Sequence, residues 1–338
     1  MKKVPALLVV VITHLYVHAQ DPHFSQFFSS PLTLNPAYTG KFDGTFRVAG
    51  NYRNQWPTIN NAFTTATASV DFDILQNRIP EFDTWGIGIM GMNDQSGDKI
   101  LTNNFLAVST AYHKALDENG YHVLTVGFQG TYANKRLDIS KANFEDMLRA
   151  DGFTGTTQED FASNTRNIAI NYFDVNAGLL YSGSTNGYNN FYLGVSTYHI
   201  NRPKESFRGG NYILSPRATI HGGGYMPVGR ITTLHASFIH QRQAGATETV
   251  AGAALAFRLN EDEDNETNLY AGMWYRFGDA FIPYVGIEFA GLRIGYSYDV
   301  NNSSLNTASN SRGGNEISLI FIKKPSDPNR RKLGCPKF

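Results

Sequence analysis

The sequence predicts an all-β protein: a transmembrane antiparallel β-barrel of about 14 strands with an N-terminal plug-like segment ahead of it. Three observations carry that prediction. Hydrophobicity alternates with a period of two over most of the chain, which places successive side chains on opposite faces of a strand. Among 338 residues, charged side chains make up only 17% and aromatic ones 13%, against ~25% charged in ordinary soluble domains. The less apolar face is mostly Thr, Ser, Asn, Gln and Gly with scattered Arg and Asp, where the outer face of a soluble sandwich calls for Lys and Glu. Mean hydropathy is −0.31, and only the N-terminus is apolar enough for a spanning helix. Alternating strands hide their hydrophobicity from such averages.

Lys plus Arg and Asp plus Glu are 29 each, so the net charge is zero and no nucleic-acid partner is indicated. The single cysteine, Cys335, excludes an intramolecular disulfide and a Cys-based zinc site.

Residues 1–19 read as a secretory signal peptide. Lys2 and Lys3 precede an apolar run over 4–15, and Val17-His18-Ala19 offers small residues for cleavage before Gln20. Residues 20–43 form a second unit. Its three prolines, Pro22, Pro31 and Pro36, forbid a long helix and remove ladder donors, so it is no ordinary strand. Phe24, Phe27 and Phe28 need burial before any strand has begun. The segment is expected inside the lumen or against its periplasmic mouth, with packing on the rim as the plainer alternative.

Residues 44–324 carry the barrel. Alternating segments fall near 45–54, 63–75, 84–92, 103–114, 121–133, 171–181, 190–200, 217–226, 231–241, 248–259, 268–277, 281–289, 291–300 and 315–323. Each approaches the ~9–11 residues that a tilted strand needs to cross a bilayer. In the first, Phe46, Val48, Gly50 and Tyr52 share one face, and Arg47, Asn51 and Arg53 the other. Apolar faces end in Tyr52, Trp85, Tyr112, Tyr132, Tyr181 and Tyr298, as the interfacial girdles of a barrel require. Glycines within strands, such as Gly86, Gly88 and 222–224, suit bends and close packing in a barrel wall. Closure also removes the exposed sheet edges.

An even strand number puts both termini on the periplasmic side, so the long connections 134–170, 201–216 and 301–314 face outward. Phe144, Met147 and Leu148 have helical spacing, which predicts a short helix ended by Gly152. The acidic run 261–266 lacks the glycine of a calcium loop and reads as a solvated periplasmic turn. Residues 325–338 form a basic periplasmic tail, either solvated or in contact with an acidic partner.

No catalytic, cofactor or metal site is expected, and the chain does not read as an enzyme. His235 and His240 are five apart and point to opposite faces of a strand. There is no H-E-x-x-H, no G-x-S-x-G elbow and no phosphate-cradling loop.

Asp21-Pro22-His23-Phe24-Ser25-Gln26-Phe27, then Pro31-Leu32-Thr33-Leu34-Asn35-Pro36-Ala37 with Gly40, then 51–57 (N-Y-R-N-Q-W-P) resemble the opening of the PorP/SprF proteins. The resemblance implies an outer-membrane barrel of the type IX secretion system and gliding motility of Bacteroidota. It implies support for export or surface attachment of client proteins by protein–protein binding. Expected partners are outer-membrane lipid, the secretion machinery, a periplasmic attachment protein, and a secreted client or surface adhesin. The matching positions Phe24, Phe27, Asn35, Pro36, Asn51, Arg53 and Trp56 are candidates for docking or structural roles. An outer-membrane pore or small-molecule transporter is the alternative, and a secreted soluble β adhesin a third.

Overall fold

The computed structural model describes residues 21–59, 62–74, 80, 82–158, 167–207, 210–260 and 266–324. The expected signal peptide, the basic tail, Cys335 and nearly all of the acidic run lie outside them. Fourteen antiparallel strands close into one barrel. They are β1 (Phe46–Gln55), β2 (Phe63–Ile74), β3 (Thr84–Ser96), β4 (Leu101–Ala115), β5 (Val123–Asp138), β6 (Asn167–Gly183) and β7 (Asn190–Tyr198). The circle continues with β8 (Arg217–Pro227), β9 (Thr232–Gln243), β10 (Ala246–Arg258), β11 (Asn268–Arg276), β12 (Ala280–Phe289), β13 (Leu292–Asn301) and β14 (Arg312–Ile322). Each strand pairs with its sequence neighbours, and β14 returns to β1 with Tyr52 opposite Ile317. Every alternating segment read from the sequence corresponds to one of these strands.

The alternation has the hand expected of a wall between lipid and a polar interior. Val48 and Tyr52 are 36% and 48% exposed, whereas Arg47, Asn51 and Arg53 are buried. Large apolar side chains face outward on all fourteen strands, from Val48 on β1 through Leu106 on β4 and Phe173 on β6 to Leu319 on β14. A soluble protein would have this pattern inside out. Among the described residues no helix is long and apolar enough to cross a membrane.

Two expectations need correction. β5 and β6 run further than the hydrophobic pattern suggested, pairing from Val123↔Ser182 to Asp138↔Asn167, so their connection is 139–166. The outward side chains at that end are Asn134, Arg136 and Asn171, whose polarity hid the strands. The predicted helix near Phe144 is a single 3-10 turn, Glu145–Met147, followed by a two-residue hairpin in which Leu148 pairs with Phe153. Gly152, at φ +124°, serves that hairpin rather than a helix end. The three longest connections, 139–166, 199–216 and 302–311, all leave the same end of the barrel.

The segment ahead of β1 runs inside the wall for most of the barrel's height. Although the even strand number predicts both termini at the short-turn end, Asp21 lies at the long-loop end, because the segment threads the barrel before β1 begins. There its backbone N–H donates to Gln243, the last residue of β9 (2.8 Å). At the opposite end Thr45 N donates to Lys323 O (2.7 Å), where β1 begins beside the end of β14. Between them the chain makes three one-turn pieces, Phe27–Ser29, α1 (Pro31–Leu34) and Pro36–Tyr38. Pro31 and Pro36 each occupy a first helical position, where a missing N–H costs nothing.

Candidate functional site in the barrel interior

At the long-loop end the segment is held by charge. The Asp299 carboxylate on β13 accepts from Arg53 Nη2 (3.0 Å) and Arg276 Nη1 (2.8 Å), and the Ser25 hydroxyl donates to it at 2.7 Å. Arg276 also reaches Glu248 (3.1 Å), and Arg53 donates to the His23 carbonyl. Glu316 on β14 accepts two successive backbone N–H groups, from Ser25 (2.7 Å) and Gln26 (3.0 Å). Here the wall reads both backbone and side chain: Gln26 Nε2 donates to Ser297 Oγ (3.1 Å) and Glu316 O (3.0 Å), and its Oε1 accepts from Ser318 Oγ (2.6 Å). A buried carboxylate between two guanidiniums satisfies the demand that buried charge be paired and hydrogen-bonded.

Asp21 sits in a second charged group. Its carboxylate meets His199 Nε2 (2.7 Å) and Arg217 (3.4 Å), while the other face of His199 meets Asp174 (2.9 Å). Burial acts to lower the His199 pKa, but Asp21 and Asp174 outweigh it and hold it near 9. Asp21 moves the other way: burial raises it, and His199 with Arg217 more than reverses that, leaving it well below the carboxylate range. His23 is pushed down to about 4 by burial, with Arg53 and Arg276 adding to the effect against Glu248.

The middle of the segment is held by shape. Asn35 is fully buried, and its amide nitrogen lies 3.1 Å from Leu179 O, 3.2 Å from Val195 O and 3.0 Å from His221 Nε2. Its Oδ1 accepts from Ala37 N (2.8 Å), capping the turn that Pro36 starts. The wall behind is bare: a Cβ on Gly178 would fall 1.8 Å from Asn35 Oδ1, and one on Gly127 would fall 2.3 Å from Ala37 N. Gly86, singled out in the sequence, meets the Thr39 carbonyl in the same manner. Glycine lets the segment's backbone lie directly on the strand backbones.

Around this, Phe28 packs on Trp274 (4.7 Å between centroids) and Tyr284 (5.6 Å), and Tyr38 on His221 (5.4 Å). Near the short-turn end Arg47 grips Asp71 through Nε (3.0 Å) and Nη2 (2.7 Å) and donates to Tyr38 O, while Asp71 accepts from Gly40 N (2.8 Å).

Phe24, Phe27, Asn35, Pro36, Asn51 and Arg53 all lie buried in this interior. Asn51 joins directly, its amide nitrogen donating to Ser29 O at 3.0 Å. Trp56 does not. It follows β1 at φ +53°, donates its N–H to Gly313 O and stacks edge-on against Phe63 at 5.5 Å, away from the segment. Sequence reading missed the wall groups Asp71, Glu248, Arg276, Asp299 and Glu316. The available signal was a charge at an inward strand position in a chain otherwise sparing of charge. Among the described residues no cluster of His, Cys, Asp and Glu is arranged to hold a metal ion.

A lipid-facing barrel whose interior holds its own N-terminal segment defines a class of outer-membrane protein. Among solved structures the chain is similar to toluene transporter TodX of Pseudomonas putida (9% identity, 86% of this chain and 92% of that chain, TM-score 0.47), toluene transporter TbuX of Ralstonia pickettii (9%, 86% and 92%, 0.48), and the translocator domain of autotransporter NalP from Neisseria meningitidis (10%, 82% and 88%, 0.40). No curated protein matches the sequence. The family model of the type IX secretion system membrane protein PorP/SprF matches residues 17–321, and the chain belongs to that family. It is an outer-membrane protein associated with type IX secretion, and neither its family nor its fold is that of a known enzyme class.

Proposed function

We propose that this barrel supports export or surface attachment of type IX clients by binding proteins at its ends rather than by conducting solutes. The observation that carries this reading is the interior. Groups on all fourteen strands face residues 21–42, and the segment's contacts combine buried ion pairs with backbone-on-backbone packing. A partner is then offered the long-loop end, where Leu148, Phe153, Tyr212 and Ile213 are each about half exposed on 139–158 and 199–216. Apolar side chains clustered at a polar rim are a frequent mark of protein contact. The test is conductance in planar bilayers together with co-purification from cells. Expected are closed traces and retention of secretion-machinery components. A steady ion current from the intact chain, with no such components retained, overturns the reading in favour of a pore or small-molecule transporter.

A further inference from the structure

The wall of the barrel is taller on one side. Leu106, Tyr132 and Phe173 form one outward row across β4, β5 and β6, each more than half exposed. Two residues nearer the long-loop end, the next outward row is Asn104, Asn134 and Asn171, continued by Asn93 on β3. Four asparagines thus stand side by side on four strands. At ~3.3 Å per residue this row lies about 7 Å beyond the apolar one. On the other side of the barrel β11 and β12 stop at the aromatic cluster Tyr275, Phe277 and Phe281, joined by the short turn 277–279.

The amides bond along the row, Asn93 Nδ2 to Asn104 Oδ1 and Asn134 Nδ2 to Asn171 Oδ1, both at 2.7 Å. Each amide has two N–H groups and two lone pairs, so these bonds use only part of its capacity. Between the two pairs opens a cleft of about 330 Å³ lined by Lys99, Ile100, Thr102, Asn104, Asn134, Arg136 and Asp138. Its Asn104 and Asn134 share the outward face of β4 and β5 with Leu106 and Tyr132, two residues beyond them, so the cleft adjoins the apolar outer wall.

We propose that this cleft binds the phosphorylated sugar headgroup of an outer-leaflet glycolipid. Arg136 and Lys99 supply the cations for a phosphate, Arg through a planar fork that fits its oxygens. Asn104, Asn134 and Thr102 donate to and accept from sugar hydroxyls, and Asp138 accepts from them. Continuity with the membrane face selects this occupant: an acyl chain lying on Leu106, Tyr132 and Phe173 brings its headgroup to the amide row.

The test uses the full chain purified in detergent and stripped of lipid, with lipopolysaccharide, dephosphorylated lipopolysaccharide and phosphatidylglycerol as probes, read by native mass spectrometry. Heat-modifiable gel mobility shows which variants have folded. Lipopolysaccharide is expected to bind, with at least tenfold weaker binding after dephosphorylation and in both K99A/R136A and N104A/N134A. The proposal is overturned if folded variants bind as the parent does, if phosphatidylglycerol binds equally well, or if the parent binds none of the probes. It is also overturned if the variants lose a co-purifying protein while glycolipid binding is unchanged.

Discussion

The two halves of the internal segment are held by different physics. Residues 21–26 meet a wall of Arg53, Glu248, Arg276, Asp299 and Glu316, where the contacts are ion pairs and charge-assisted hydrogen bonds. Residues 35–39 meet a wall of glycine, where Ala37 and Thr39 lie backbone on backbone against Gly127 and Gly86, and Asn35 fills the space over Gly178. Charge returns only at the lower edge, where the Arg47–Asp71 pair holds Tyr38 O and Gly40 N. The first half is therefore sensitive to the removal of a charge and to pH. The second is sensitive to a single added carbon. Ser25 and Gln26 are as buried as Asn35 and Ala37, so exposure alone does not tell the two grips apart.

The largest expected effect is on the charged half. Asp299→Ala leaves Arg53 and Arg276 without their shared carboxylate, and breaking a buried pair on one side costs about 3–5 kcal/mol. A drop in the urea midpoint followed by heat-modifiable mobility should show it, with Asp299→Asn intermediate.

Next is the shape-held half. Gly178→Ala forces a methyl group into Asn35 Oδ1 and should cost about 1–3 kcal/mol, as overpacking does. The sharper measurement is the double variant. Asn35→Ala removes buried hydrogen bonds at a cost of about 1–3 kcal/mol, but it also makes room for the new methyl. The two costs should sum to more than the double variant shows; simple additivity would mean that the contact at Gly178 is not the one described.

The pH effect is smaller and confined to the charged half. His199 has its folded pKa raised to about 9, from an ordinary value near 6.5. Its contribution is therefore complete below the unfolded pKa and is lost as pH rises through 9. Between pH 7 and 10 a probe near Asp21 should loosen while one near Asn35 stays protected from hydrogen exchange; equal loosening of both would erase the distinction between the halves. The smallest change in stability is expected from an epitope inserted directly ahead of Asp21 in the exported chain. Because Asp21 lies at the long-loop end, antibody should reach it on intact cells.

All fourteen strands and both of their faces were legible in the sequence, because lipid outside and a polar interior write a period of two into every crossing. The ends of β5 and β6 were not, since beyond the bilayer Asn134, Arg136 and Asn171 replace the apolar side chains that mark a strand. The need of Phe24, Phe27 and Phe28 for cover was visible, but their neighbours were not. Phe28 meets Trp274 and Tyr284, and Ser25 meets Asp299, across separations of more than 240 residues that no local pattern encodes. Trp56 shows the converse: it is close in sequence to Arg53 but turns outward at φ +53° and takes no part in the interior.

Glu316 stands on the last strand yet clasps Ser25 and Gln26, among the earliest of the described residues. One carboxylate thus serves both wall and contents: the strand that closes the cylinder against β1 is also the strand that fastens the threaded segment.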